Sequence, residues 1–306
     1  MKIFMIKRII KKSYKFLPNE LRSRIGINKN QLASKTLAST SKRLDLCSAQ
    51  IALLLHSSNF ANKFPLRDKV CVELGSGWVL SHSLVFHLLG AKRVIATDLQ
   101  TLANPTNLYQ SINSSTISVI RDILSPFEEH SIIRARLNKL LAIKTFTFDV
   151  LQELGIEYVA PIDLAIRPLN TKIGFVFSCS VLEHVPIDDI LPLLQNLESA
   201  LCDGGVMIHC IHLEDHKDFV KSPFDFFSES SEKYNRDVQS SRGNRIRLSQ
   251  WNDIFSHIKN IEHKFIYQWS RLDKKLPIID PSIQYLDVED LKISHIGILC
   301  KKKKKT

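Results

Sequence analysis

Glycine is scarce in this chain, with ten in 306 residues, where an average protein has about 7%. Two of the ten, Gly75 and Gly77, share a single turn, so their placement carries information. No run of 18 apolar residues occurs, so no membrane-spanning helix is expected. No C-x-x-C occurs either. The six cysteines, at 47, 71, 179, 202, 210 and 300, are scattered. They read as buried reduced thiols of a cytoplasmic chain, not as a disulfide framework. The N-terminus is basic but lacks an apolar core of about seven residues, which makes it a poor signal peptide. Between its ends the chain also lacks any large excess of charge. Of the formal +11, residues 1–30 supply nine Lys/Arg against one acid, and residues 301–305 are five lysines, which leaves −2 for the rest. A near-neutral body argues against a basic nucleic-acid reader.

What is present is enough apolar sequence, 44%, for a sizeable core. In residues 1–24, Ile3, Ile6, Ile10, Tyr14 and Leu17 recur every three or four positions with six Lys/Arg between them. This basic amphipathic stretch heads an expected helical arm, 1–40. It suits either docking on an anionic membrane surface or packing on the body. The lysine-rich end, 301–306, is expected to be disordered.

Residues 70–100 organise the remainder. Val70, Val72 and Leu74 read as a strand, Glu73-Leu74-Gly75-Ser76-Gly77 as a turn, and residues 83–89 as a helix that Gly90 stops. Residues 94–97 form a second strand, and Asp98 ends it. Glycines at 75 and 77 let a ligand approach the backbone. Asp98 follows Gly77 by 21 residues, the spacing for an acid that accepts hydrogen bonds from both ribose hydroxyls. A dinucleotide fingerprint needs a third glycine where Leu80 stands, so pyrophosphate is disfavoured. Glu73 suits an ammonium group instead. A βα turn of some other α/β protein remains the alternative on this stretch alone.

The pattern Glu73-x-Gly75-x-Gly77 resembles the first motif of class I S-adenosylmethionine-dependent methyltransferases. Val79 stands where that family often has a third glycine. A buried strand at 173–178 leads into Cys179-Ser180-Val181-Leu182-Glu183-His184-Val185-Pro186, which resembles the segment after the fourth strand of the small-molecule members. Gly174 replaces the family's usual strand aspartate. A helix over 187–201, Gly204-Gly205 and a strand over 206–211 continue the family's order. The match spans about 70–215, roughly half the chain.

The resemblance implies an α/β Rossmann-like fold. Its sheet would be mixed, mostly parallel and seven-stranded, with helices on both faces. The alternation of strand and helix signals supports α/β independently. The implied cofactor is S-adenosylmethionine, with S-adenosylhomocysteine as product. The implied cofactor-binding residues are Glu73 for the methionine ammonium, backbone at Gly75, Ser76 and Gly77, Asp98 with Leu99 for the ribose, and Asp163 for the adenine. Ser178 and Cys179 are implied on the methyl side.

Other segments are read from their residues. Residues 41–60 form an amphipathic helix. After Asp98 the next strand, 156–160, comes 58 residues later, so 103–150 reads as a helical insertion, either a lid or a structural elaboration. Within it Ser125-Pro126-Phe127-Glu128 forms a capping box for a helix to about 142. His209, Cys210, His212, Glu214, Asp215 and His216 resemble a metal cluster in composition. Strand alternation sets His209 apart from Cys210 and His212, however, so no metal is expected. His212, Asp215 and His216 fall either at the mouth of the site or in a solvent-exposed loop. Phe219, Phe224, Phe226, Phe227 and Tyr234 are expected to wall a substrate pocket within 216–250. Ser249 is expected to cap the last helix, and strands at 263–269 and 293–300 complete a methyltransferase domain over 41–300.

The function expected is methyl transfer to a small polar acceptor, with a sugar hydroxyl of a glycan precursor the favoured class. His184 is the candidate base, because histidine titrates near neutrality. His216 and His212 stand behind it, and a loop-shaping role for His184 is the alternative. Two other readings remain: a methyltransferase-fold binding module without turnover, and a nicotinamide-dependent oxidoreductase, which Leu80 opposes.

Overall fold

The computed structural model describes residues 43–60, 63–237 and 239–304. The expected arm 1–40 lies outside the described residues. Seven strands form one sheet in the order β3-β2-β1-β4-β5-β7-β6. They are β1 (Val70–Leu74), β2 (Arg93–Thr97), β3 (Ile156–Val159), β4 (Ile173–Cys179), β5 (Leu201–His212), β6 (Ile261–Ser270) and β7 (Ile293–Lys302). β1 to β5 pair in parallel, and β7 runs antiparallel between β5 and β6. The expected mixed, mostly parallel sheet is therefore present. Its central strands carry apolar runs because both faces are covered.

Pairing registers bring the strand ends level. Leu74 is opposite Thr97 on one side and Ser178 on the other, and Thr97 is opposite Val159. Four loops therefore leave the sheet at one edge, where a doubly wound sheet places its ligands.

Side-chain alternation builds two cores. Cys71, Phe175 and Phe177 face α2 (Ser81–Leu88), where Phe86 meets both phenylalanines edge-on at 5.5 and 5.7 Å. α1 (Leu44–Ser57) packs on the same side through Leu44, Ile51 and Leu55. Val72, Val176 and Met207 face the other way. There they meet α7 (Ile187–Ala200) and α8 (Leu248–Ser256), with Leu194, Trp251 and Phe255 fully buried. Helices thus cover both faces. No described helix is long and apolar enough to cross a membrane.

The long crossover after β2 holds α3 (Pro105–Asn113), α4 (Ile117–Leu124), α5 (His130–Leu141) and α6 (Phe148–Glu153). Leu108, Ile120, Leu124, Ile133, Leu137 and Leu140 from these helices join the first core. The capping box does not form where expected. Ser125 instead follows α4, and α5 begins only at His130. Glu128 is drawn away because its buried carboxylate pairs with Arg67. Ser249 likewise caps nothing. Arg247 is the N-cap of α8, and the Ser249 hydroxyl donates to Asp290.

The aromatics of 216–250 take another place too. Phe224, Phe226, Phe227 and Tyr234 are buried together with Leu291 in a small third core, because burying rings among themselves removes the most apolar surface. Phe219 is half exposed beside His212. The lysine-rich end is also more ordered than expected. β7 continues through Lys302, Lys301 lies opposite Glu262, and Lys302 Nζ is 2.9 Å from Glu198 Oε1.

One consequence concerns acid stability. His209 is fully buried, and burial pushes its imidazole down from 6.5 to about 3. Between those values the unfolded residue takes up a proton that the folded one refuses. Its stabilising contribution is therefore complete above pH 6.5 and is lost as pH falls toward 3. By pH 5 the loss is about 2 kcal/mol from this group. Urea midpoints should fall between pH 7 and 5, and His209→Gln should flatten that fall. An unchanged slope in the variant would contradict this account.

Candidate functional site

The loops at the level strand ends enclose a cavity of about 620 Å³. Gly75, Gly77 and Trp78 border it from the turn after β1, and Thr97, Asp98, Leu99 and Gln100 from the end of β2. Asp163 and Leu164 border it after β3, and Ser180, Val181 and His184 after β4. Asp189 of α7 completes a polar rim.

The turn after β1 needs its glycines for two different reasons. Both have positive φ, +67° at Gly75 and +64° at Gly77, where a side chain is strained. A Cβ at Gly75 would lie 2.4 Å from Val181 Cγ2, so this glycine lets the two loops meet. A Cβ at Gly77 would meet nothing within 4 Å, so this peptide faces open space. Leu80, in place of the third glycine, is also left-handed at φ 58° but is buried in the first core.

Asp98 closes the turn from the opposite side. Its Oδ2 accepts from Gly77 N at 2.9 Å and its Oδ1 from Gln100 N at 3.1 Å. A carboxylate has about four acceptor sites, so two hydroxyl donors can still be accommodated. Asp163 Oδ1 accepts from Ala165 N at 2.9 Å, and the neighbouring Ile162 N donates to Asp98 O at 2.9 Å, which holds this loop beside Asp98.

Six expected residues stand outside the lining, four of them assigned to the cofactor and the other two His212 and His216. Ser76 is buried behind the turn, and its N–H donates to Thr97 O at 2.9 Å. Glu73 is 3% exposed and points to the α2 side. Its carboxylate accepts from the Ser83 hydroxyl and lies 3.2 Å from His82 Nδ1. Alternation explains this direction, since Glu73 shares a face with Cys71. Burial pulls His82 down, but Cys47 and Glu73 outweigh it and hold the imidazole up at about 10. Ser178 is fully buried, 2.8 Å from His209 Nδ1. Cys179 Sγ accepts from Gln50 Nε2 at 3.2 Å. Ser180 and Val181 border the cavity instead.

The three expected histidines do come together. The His184 ring lies on the cavity side, in the 3-10 turn Leu182–His184. The His216 ring meets it edge-on at 4.6 Å, and His212 is 4.7 Å from His216 between ring centroids. Asn244 fixes this turn by donating three times: its N–H reaches Glu183 O at 2.7 Å, and its Nδ2 reaches Leu182 O at 2.8 Å and Val185 O at 3.2 Å. Arg247 anchors the same strap. Its buried guanidinium donates to Leu213 O at 2.8 Å, and burial pulls it down to about 9. Glu183 lies in the same turn, is buried, and carries no role in the sequence reading; its only sequence signal is an acid within the segment that follows β4.

No protein-family model matches this chain, and no curated protein matches it in sequence. Its fold is similar to solved structures. One is magnesium protoporphyrin IX methyltransferase from Synechocystis PCC 6803 with bound SAH, at 12% identity and TM-score 0.42, covering 85% of this chain and 83% of that one. Another is a DhpI–SAH complex, at 14% and 0.43, covering 90% and 94%. A third is an S-adenosylmethionine-dependent methyltransferase from Mesorhizobium loti, at 13% and 0.43, covering 83% and 98%. Likenesses this distant leave the function to be argued from the site's own residues.

Proposed function

We propose that this chain is an S-adenosylmethionine-dependent methyltransferase acting on a small polar acceptor, with a sugar hydroxyl the favoured class. The observation that carries the reading is the hydrogen bond from Gly77 N to Asp98 at the border of one open cavity that Asp163 also lines. A volume of about 620 Å³ lies in the usual range for a small-molecule site. Open space in front of Gly77 and the spare acceptor capacity of Asp98 both fit a nucleoside.

Asp98 would hold the ribose hydroxyls, Asp163 the adenine amino group, and the Gly75–Gly77 backbone the amino-acid part. Glu73 would act through the turn and α2, since its carboxylate is held by Ser83 and His82. When bound, S-adenosylmethionine supplies an activated methyl group on a sulfonium. The protein's task is then alignment of the acceptor and exclusion of water. His184 would accept the hydroxyl proton of the acceptor at its ring nitrogen, with His216 beside it. Trp78 at the cavity wall offers an apolar face to a sugar ring.

Isothermal titration of the purified chain with S-adenosylmethionine and with S-adenosylhomocysteine tests the reading. One site per chain for both ligands is expected. Absence of heat with both, in a folded sample, would overturn it.

A further inference from the structure

A second cluster lies behind His184, on the side of β4 and β5 away from Asp98. We propose that Glu183, His212 and His216 form a binding site for one divalent transition-metal ion. One ligand atom from each lies within 4.8 Å of the others. Donors 2.0–2.1 Å from a tetrahedral ion stand ~3.3 Å apart, so closing the set takes a shift of roughly 1 Å.

The need for a cation comes from Glu183. Its side chain is 1% exposed, and neither carboxylate oxygen makes a hydrogen bond of good geometry. A buried carboxylate without a counter-charge is costly. His216 Nε2 lies 4.0 Å from Glu183 Oε1. It too is buried with no hydrogen-bond partner. Two imidazoles and one carboxylate are a donor set for Zn²⁺ or Fe²⁺ rather than Ca²⁺ or Mg²⁺.

The surroundings support the same assignment. His212 Nε2 lies 2.6 Å from Glu214 Oε2, and Arg271 Nη1 donates to Glu214 Oε1 at 2.9 Å. A carboxylate on a ring nitrogen orients the ring, as in carboxylate–histidine–metal pairs. Arg271 already neutralises Glu214, so Glu214 acts as the outer partner and not as the ligand. His216 and His212 are 20% and 13% exposed, which gives an ion a way in. Three protein ligands leave at least one position for water or a substrate oxygen. An acceptor hydroxyl bound there, beside His184, would lose its proton more readily. This use rests on the methyl-transfer reading, whereas the ion site itself does not.

The test uses untagged full-length protein stripped with chelator and titrated calorimetrically with Zn²⁺. One ion per chain is expected, with affinity lowered at least about tenfold by Glu183→Gln and by His216→Ala. Zn²⁺ should also raise the melting temperature of the native chain and not that of His216→Ala. This variant alters a partly exposed side chain, so it carries the test if Glu183→Gln does not fold. Co²⁺ in place of Zn²⁺ should give ligand-field bands without sulfur charge-transfer absorption. No bound ion, affinity unchanged in the variants, or a thiolate band from Cys179 would each overturn the site. S-adenosylmethionine titration in the presence of chelator tests the methyl-transfer reading separately.

Discussion

His184→Ala is expected to lower methyl-transfer turnover by about 10²–10⁴-fold, the usual contribution of a positioned general base. S-adenosylhomocysteine affinity should stay within about threefold, because a base that acts on the acceptor proton contributes mainly in the transition state. The structural basis is specific. His184 borders the cavity, its N–H donates to Val181 O at 2.9 Å, and Asn244 holds the carbonyls on both sides of it. Removing the ring therefore leaves the turn's backbone anchored. His184→Asn keeps polarity without basicity and should lose nearly as much. Single-turnover rates with a generic hydroxyl acceptor, set beside calorimetric affinities, separate the outcomes. Equal loss of rate and affinity would make His184 a loop-shaping residue. No loss of rate would remove it from the chemistry.

Asp98→Ala is expected to weaken S-adenosylmethionine binding by about 10²–10⁴-fold. Two effects add. Hydrogen bonds to a charged group contribute about 1.5–3 kcal/mol each, and Asp98 would accept two from a ribose. The same carboxylate ties down Gly77 N at 2.9 Å, so its loss also frees the turn after β1. Asp98→Asn keeps an acceptor for Gly77 and should lose about tenfold, less than Ala. Calorimetry measures both, and an unchanged melting temperature in the absence of ligand shows that the fold is intact. Affinity unchanged in Asp98→Ala would place the ligand elsewhere.

The sheet was legible from the sequence because its signals are local. Apolar runs at Val70–Leu74 and Ile173–Cys179, a glycine turn and a 21-residue spacing each follow from a few neighbouring residues. Gly75, Gly77, Asp98, Leu99, Asp163 and His184 all border the cavity. The misplaced expectations share a different character. Glu128 left its capping position for Arg67, which is 61 residues away in the chain. Four aromatic side chains found one another instead of the pocket. Both outcomes were decided by burial, of Glu128 against the distant Arg67 and of the aromatics against one another and the distant Leu291, and the local pattern does not encode which face is buried.

Sequence alone determined the α/β alternation and an acid facing a glycine turn across the ends of two parallel strands. Backbone geometry dictates those features once the strands are identified. Only the tertiary structure decided where Glu183, His212 and His216 would stand. Their convergence depends on the β4–β5 register, Ser178 opposite His209, and on the turn that folds His216 back over His212. It also depends on burial, which leaves both Glu183 oxygens and His216 Nε2 without hydrogen-bond partners. Composition supplied the residue types, but burial, a property of the folded chain, decided which of their polar atoms stay unpaired.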